Sequence, residues 1–320
     1  MKLPTVLPTD RCCRQNRCRL LARFSLSARY RLALRCRFLI LGLAFAGAHV
    51  AQAQQTKETV KFQLRSGYLM VVQARVNGAG PFSFLVDTGT TRTVIDPDLA
   101  SQLQVPAIGE VNVTTVLHYR QDKLVRLQDV QLGEASISGL GAMVDKLTRQ
   151  KMLVPGIRGV LGEDFLSRFD LLIDYKERVI RFGEPPPAGE RCRFEATGQY
   201  QGAPTTNRLL IDVEFMEVSG NKVQLQLDTG ARTPELFPAS RDAHPSQPWG
   251  SSMATSSGAN GVIVHSNVTL RIGNTMIPGQ DVVQSRRAVA FDAAGLLPAA
   301  IFRRIYISHS GGFVVMNPVK

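Results

Sequence analysis

The sequence predicts an all-β protein built as two similar lobes with a few short helices, and three observations carry that expectation. The triplet Asp-Thr-Gly closes an apolar run twice, in Phe82-Ser83-Phe84-Leu85-Val86-Asp87-Thr88-Gly89 and in Val223-Gln224-Leu225-Gln226-Leu227-Asp228-Thr229-Gly230. A second signature follows each triplet in the same order. Gly159-Val160-Leu161-Gly162 begins 72 residues after Asp87, and Gly295-Leu296-Leu297-Pro298 begins 67 residues after Asp228. Between them, alternating or β-branched runs are broken by Gly, Pro and Asn, while long helical periodicity is scarce. At average residue usage the triplet is expected about 0.07 times in a chain of this length, so two similarly framed copies speak for an internal repeat rather than chance.

Taken in chain order, residues 1–53 read as a signal or leader segment. Arg35-Cys36-Arg37 precedes the apolar run Phe38 to Val50, and Ala51-Gln52-Ala53 supplies an A-x-A cleavage site. The run is shorter than the roughly 20 residues of a comfortable membrane span. The expectation is therefore export to the periplasm with no stable membrane insertion after signal removal, and an uncleaved anchor is the alternative. The long arginine-rich stretch ahead of the run also leaves open an organelle transit peptide or a start further along. This segment explains the net charge of +12: Lys2 and nine arginines against Asp10 contribute +9, leaving 12 − 9 = +3 for residues 54–320. A nearly neutral body without a basic stripe argues against nucleic acid as a partner.

Four of the five cysteines lie in the leader, so Cys192 alone remains and cannot form an internal disulfide. It reads as a small buried hydrophobe, with a reactive thiol as the minority reading. No Cys/His spacing suggests a metal, and no Gly-rich phosphate loop, Gly-x-Ser-x-Gly elbow or His-Glu-x-x-His occurs, so neither cofactor nor metal is expected.

The first lobe is expected at 54–183 and the second at 191–320. The linker falls at 184–190, where Pro185-Pro186-Pro187 denies the backbone donors that a sheet interior requires. Strands are expected at Thr59 to Leu64, Tyr68 to Val76, Val111 to Leu117, Leu124 to Leu132, Leu209 to Val213, Val262 to Val264 and Val268 to Ile272. Short helices are expected at Pro97 to Leu103 after an Asp96 cap, at Glu163 to Arg168, and at Pro298 to Arg304. Each half also offers a hairpin, one with His118 to Lys123 at its tip and Tyr119 as a possible substrate contact, the other with Ser256 to Gly261.

Asp-Thr-Gly-Thr and Asp-Thr-Gly-Ala, each ending a hydrophobic strand and each followed by a Gly-Val-Leu-Gly or Gly-Leu-Leu segment, resemble the two halves of an aspartic protease of the retropepsin and pepsin type. The resemblance implies β-barrel lobes about a pseudo-two-fold axis, with Asp87 and Asp228 as the catalytic pair. It also implies that each Gly-hydrophobic segment packs under its own triplet and that hairpin flaps cover the cleft.

The residue types suit that chemistry. Two carboxyl groups about 3 Å apart cannot both ionise cheaply, so one keeps a proton while the other draws one from a water that attacks a peptide carbonyl. Gly89 and Gly230 let the backbone approach the carboxylates, and Thr88 and Thr229 offer hydroxyls to the opposite loop. Thr90 can reach Asp87 whereas Ala231 has no hydroxyl, which favours an ionised Asp87. The second half departs from the first at Pro298 for Gly162, Ser308 for Asp174 and Pro234 for Thr93. These changes support a rival reading, a catalytically inactive peptide- or protein-binding module on the same fold. The leading expectation is an aspartic endopeptidase acting on peptide or protein substrate as a monomer. The repeat and linker argue against lobes that pair with another chain. His118, His244, His265, His309 and Trp249 read as structural or exposed.

Overall fold

Strands form where the apolar alternation lies, and a computed structural model shows how they pair; it describes residues 58–114, 119–200, 203–217, 222–237, 262–285 and 293–317. The first half runs β1 (Glu58–Lys61), β2 (Gln63–Arg65), β3 (Leu69–Val76), β4 (Ala79–Val86), β5 (Val94–Ile95), α1 (Pro97–Gln102), β6 (Ala107–Thr114), β7 (Tyr119–Leu132), β8 (Ala135–Val144), α2 (Thr148–Leu153), β9 (Gly159–Leu161), α3 (Glu163–Leu166), β10 (Leu171–Asp174) and β11 (Val179–Phe182). Residues 184–190 carry neither helix nor strand. The second half runs β12 (Cys192–Arg193), β13 (Glu195–Tyr200), β14 (Ala203–Phe215), β15 (Lys222–Asp228), β16 (Glu235–Leu236), β17 (Val262–Ile272), β18 (Thr275–Ser285), β19 (Gly295–Pro298), a 3-10 turn at Ala299–Ile301, β20 (Arg304–Ser308) and β21 (Phe313–Met316). The protein is all-β with a few short helices.

Among the described residues, the first half forms a sheet ordered β2-β3-β4-β9-β5-β8-β7-β6 in which β3 also pairs with β7, so the sheet curls back on itself. The second half repeats this as β13-β14-β15-β19-β16-β18-β17, with β14 also pairing β17. Closing a sheet in this way covers edges that would otherwise template aggregation. The third sheet, β1-β11-β10-β20-β21-β12, takes three strands from each half. Its centre is the antiparallel pair β10 and β20, with Leu171 opposite Ile307 and Asp174 opposite Arg304. The halves are thus bound by backbone hydrogen bonds as well as by a shared core, which extends from Met70, Phe84 and Phe165 to Phe215, Leu297 and Phe302.

Helix α1 starts as its residues dictate. The Asp96 carboxylate accepts the Leu99 N–H at 2.7 Å and Pro97 occupies the first turn. Two expectations change. The helix expected at Pro298 to Arg304 contracts to one turn, because residues from Arg304 onward are needed as the strand that pairs with β10. The loop expected at His118 to Lys123 is shorter, because β6 and β7 pair as far as Thr114 opposite Tyr119. Arg120 is held along that strand by ion pairs to Asp122 at 2.9 Å and to Asp145. A hairpin with polar residues on both faces reads as loop in sequence, although backbone pairing makes it a strand. His118 and the second hairpin tip, Ser256 to Gly261, lie outside the described residues, as do His244 and Trp249.

The Arg304 Nε–Asp174 Oδ2 contact of 2.7 Å is nearly closed to solvent, with side-chain exposures of 12% and 2%. Burial alone would raise the Asp174 carboxyl. The Arg304 hydrogen bond, the Glu177 N–H and the charges of Arg304 and Arg181 outweigh it and hold the group below its ordinary 3.8. Its contribution to stability is therefore present above pH 3.8 and is lost as pH falls through the depressed folded value. Arg304→Met leaves the Asp174 charge buried without its cation and is expected to cost about 3–5 kcal/mol in urea unfolding at neutral pH. The penalty should shrink as the solution is acidified.

Candidate active site

Both Asp-Thr-Gly loops leave the ends of apolar strands whose neighbours are fixed by parallel pairing. In the first lobe Val86 at the end of β4 lies opposite Leu161 of β9, and the Asp87 N–H donates to the Leu161 carbonyl at 3.0 Å. In the second, Leu227 and Asp228 at the end of β15 lie opposite Leu297 and Pro298 of β19. Each Gly-hydrophobic segment thus supports its own triplet.

The two loops then lock together through their threonines. The Thr88 hydroxyl donates to the Leu227 carbonyl at 2.9 Å and accepts the Thr229 N–H at 3.1 Å. Reciprocally, the Thr229 hydroxyl donates to the Val86 carbonyl at 2.8 Å and accepts the Thr88 N–H at 3.1 Å. All four groups are buried, so each bond satisfies a polar atom that would otherwise be stranded.

This lock brings Asp87 and Asp228 together, each carboxyl group against the glycine of the opposite triplet and near enough to act on the other. The glycines are required by proximity. A Cβ on Gly89 would stand 2.5 Å from the Asp228 Cγ, and one on Gly230 would stand 2.9 Å from the Asp87 Oδ1. No side chain larger than hydrogen fits at 89 without displacing the carboxyl group.

Residues 72–168 match a family model described as gag-polyprotein putative aspartyl protease. Over that stretch the chain is similar to that family. A retropepsin-like aspartic protease from Rickettsia conorii is similar in solved structure at 18% identity, covering 39% of this chain and 88% of that one with a TM-score of 0.27. No curated protein matches.

The hydrogen bonds around the two aspartates are unequal. Asp87 Oδ1 accepts the Gly89 N–H at 2.9 Å and Oδ2 accepts the Thr90 hydroxyl at 2.8 Å. Asp228 Oδ1 accepts the Gly230 N–H at 2.6 Å, and Ala231 offers its backbone N–H but no hydroxyl. Burial pushes the Asp228 carboxyl well above its ordinary value, the charge of Asp87 and the hydrogen bond with it push in the same direction, and the two backbone donors counteract only in part. Asp228 is thus the carboxyl group with the raised affinity for a proton, and Asp87 the one with the fuller set of side-chain and backbone donors.

The departures in the second half prove to be matched to one another. In the first lobe the Gly162 N–H donates to the Thr93 hydroxyl at 3.3 Å, and the Thr93 N–H and hydroxyl both donate to Asp164 Oδ1 at 2.8 Å. The corresponding second-lobe positions are Pro234, Pro298 and Ala300, so donors and acceptors disappear together and the exchange strands no partner. Gly162 also could not be proline in the first lobe, since a Cβ there would lie 2.7 Å from the Thr90 carbonyl oxygen.

Sequence reasoning passed over three residues. Gln226 sends its Nε2 to the Thr88 and Gly89 carbonyls at 3.3 and 3.1 Å, bridging from one lobe to the opposite loop. It stands two positions before Asp228 on a face shared with Lys222 and Gln224, so the alternation alone did not set it apart. Glu163 and His309 pair at 3.0 Å across 146 residues of chain, a separation at which no spacing rule operates. Among the other candidates, His265 bonds Gln284 within the β17–β18 hairpin at 3.0 Å. Cys192 is half-buried against the core, and burial followed by the charge of Glu190 raises its thiol. Tyr119 opens β7, and its side chain lies outside what is described.

Thr88→Val removes one hydroxyl from the lock and leaves the Leu227 carbonyl and the Thr229 N–H buried without it. Unfolding in urea is expected to show a loss of about 1–3 kcal/mol, with Thr88→Ser recovering most of it.

Proposed function

We propose that the protein is an aspartic endopeptidase that hydrolyses peptide bonds with Asp87 and Asp228. The observation that carries the reading is the contact of two carboxyl groups of unequal environment, clamped by a backbone lock that gives neither loop freedom to withdraw. A protonated Asp228 donates to the scissile carbonyl oxygen, while the ionised Asp87 takes a proton from a water held between the pair. That water attacks the carbonyl carbon; as the C–N bond then breaks, the proton taken up by Asp87 passes to the leaving nitrogen and the hydroxyl formed from the carbonyl oxygen returns its proton to Asp228. Rigidity serves this chemistry directly, because a reacting water must be met at hydrogen-bond distance by both groups at once.

One chain supplies both carboxylates, which supports a monomeric enzyme with a peptide or protein as substrate. The leader-like residues 1–53 and the nearly neutral remainder support export to the periplasm. Among the described residues no helix is long and apolar enough to cross a membrane.

The test is cleavage of a peptide library across pH by the wild type, Asp87→Asn and Asp228→Asn, with a statine-type inhibitor as control. Each substitution is expected to reduce kcat/KM by roughly 10²–10⁴-fold. Cleavage that survives either substitution would discard the dyad, and inhibitor binding by a wild type that cleaves nothing would replace the enzyme by a peptide-binding module. The pH profile carries its own expectation. Because the Asp228 carboxyl is raised, the singly protonated pair persists above the ordinary carboxylate range, and activity should decline as rising pH removes that last proton.

A further inference from the structure

Beneath the Asp87 loop lies a buried acid and base that the chemistry proposed above does not use. Glu163, the first residue of α3, has no solvent exposure, and its Oε2 lies 3.0 Å from Nε2 of His309. The imidazole belongs to the other half, in the turn between β20 and β21. Its Nδ1 lies 2.7 Å from the Phe169 carbonyl, and its ring packs edge-on against Phe194 with centroids 6.2 Å apart. Both ring nitrogens thus face acceptors, which suits a doubly protonated imidazole.

From Glu163 a short chain of bonds leads to the catalytic carboxylate. The Glu163 N–H donates to the Thr90 carbonyl at 2.8 Å, and the Thr90 hydroxyl donates to Asp87 Oδ2 at 2.8 Å. Glu163 is also near enough to Asp87 for the two charges to interact. The two-fold counterparts of this pair are Ala299 and Tyr175. The support under Asp87 is therefore ionisable, whereas the corresponding positions near Asp228 hold a methyl group and a phenol. The duplication alone would not produce that difference.

We infer that Glu163 and His309 form a buried ion pair at the lobe junction that positions Asp87 and sets the alkaline limit of the dyad's working state. Neither residue touches the reacting atoms; both act through the Thr90 segment and through charge. While His309 is protonated, its charge balances Glu163 and the Asp87 carboxylate is free to ionise. When the imidazole loses its proton, an uncompensated carboxylate is left in the core beside Asp87. The local charge must then be relieved by protonating Asp87 or Glu163, or by parting the lobes.

The surroundings shift both partners upward, by different balances. Burial pulls the His309 imidazole down, but the hydrogen bond and charge of Glu163, the Phe169 carbonyl and the charge of Asp170 outweigh it, so the group is raised above 6.5. Burial raises Glu163, His309 lowers it by hydrogen bond and charge, Asp164 and Asp87 raise it again, and the net direction is upward from 4.5. Both folded values lie above the unfolded ones. The stabilisation from His309 is accordingly complete below pH 6.5 and is lost as pH rises through its folded value.

The inference rests on the peptidase reading for its kinetic arm and not for its spectroscopic one. The imidazole of His309, assigned by its absence from His309→Gln, should titrate above 6.5 by NMR in the wild type and move downward in Glu163→Gln. In peptide hydrolysis, the alkaline limb of His309→Gln should move to lower pH, with kcat/KM about tenfold or more below the wild type where the wild-type imidazole is still charged and within about threefold of it at acid pH. Where either single variant fails to fold, Glu163→Leu/His309→Leu replaces the pair by apolar side chains, a change that buried ion pairs commonly tolerate. In that variant the alkaline limb should move to higher pH. An imidazole that titrates identically with and without Glu163, or an alkaline limb unmoved in all three variants, would overturn the inference. A wild type that cleaves nothing would sink the peptidase reading, and the NMR titration would still decide the pair.

Discussion

Four hydrogen bonds between two threonines and the opposite backbone hold the centre of this molecule together, and the placement of both carboxylates follows from them. Thr88 and Thr229 each give a hydroxyl proton to the carbonyl of the residue that precedes the other lobe's aspartate, and each accepts the other's N–H. Such an exchange can form only when both loops are present and in register. The mutual repulsion of a half-buried and a buried carboxyl group acts against it, and that repulsion together with burial raises the Asp228 carboxyl. Geometry and proton affinity are thus one constraint: the lock enforces proximity, and proximity raises Asp228.

The sheet joining the halves supplies the second layer of that constraint. Since β10 and β20 pair directly, the lobes cannot rotate apart without breaking backbone bonds, and the core from Phe84 to Phe302 would open with them. The same junction carries Glu163 and His309, so the environment of Asp87 depends on how the lobes are seated. The dyad is a property of the assembled pair and not of either lobe.

Much of this architecture was legible because it is local or repeated. The strands leading to Asp87 and Asp228 show as apolar runs, helix α1 is announced by Asp96 and Pro97, and the two-fold relation shows as one order of motifs read twice. What could not be read depends on contacts distant in the chain. Helix α2 is preceded at its cap by Leu147, a non-glycine residue at φ 52° with no side-chain cap, so none of the usual start signals marks it. The helix expected at Pro298 to Arg304 was cut to one turn by a strand partner 130 residues away, Asp174 opposite Arg304. His309 carries no sign in its neighbours that a carboxylate from another lobe will meet it.

The substitution of Ser308 for Asp174, which in sequence looks like a loss, is better understood as what permits a fused pair. Under the two-fold relation Asp170 corresponds to Arg304 and Asp174 to Ser308, so the antiparallel join brings each acid against the other half's changed residue. Asp174 meets Arg304 at 2.7 Å, and Asp170 accepts the Ser308 hydroxyl at 3.2 Å. Were two copies of the first half to pair through the same strand, Asp170 would face Asp174 at both ends of the junction, and four buried carboxylates would lie in opposed pairs without a cation. Two copies of the second half would instead set Arg304 against Ser308 with no acid at either end. Only the mixed pair satisfies its charges, because removing a carboxylate from water without a counter-charge costs several kcal/mol per group. Divergence of the halves therefore both builds the correct junction and excludes the symmetric ones, which lets one chain hold two unlike environments around two like aspartates.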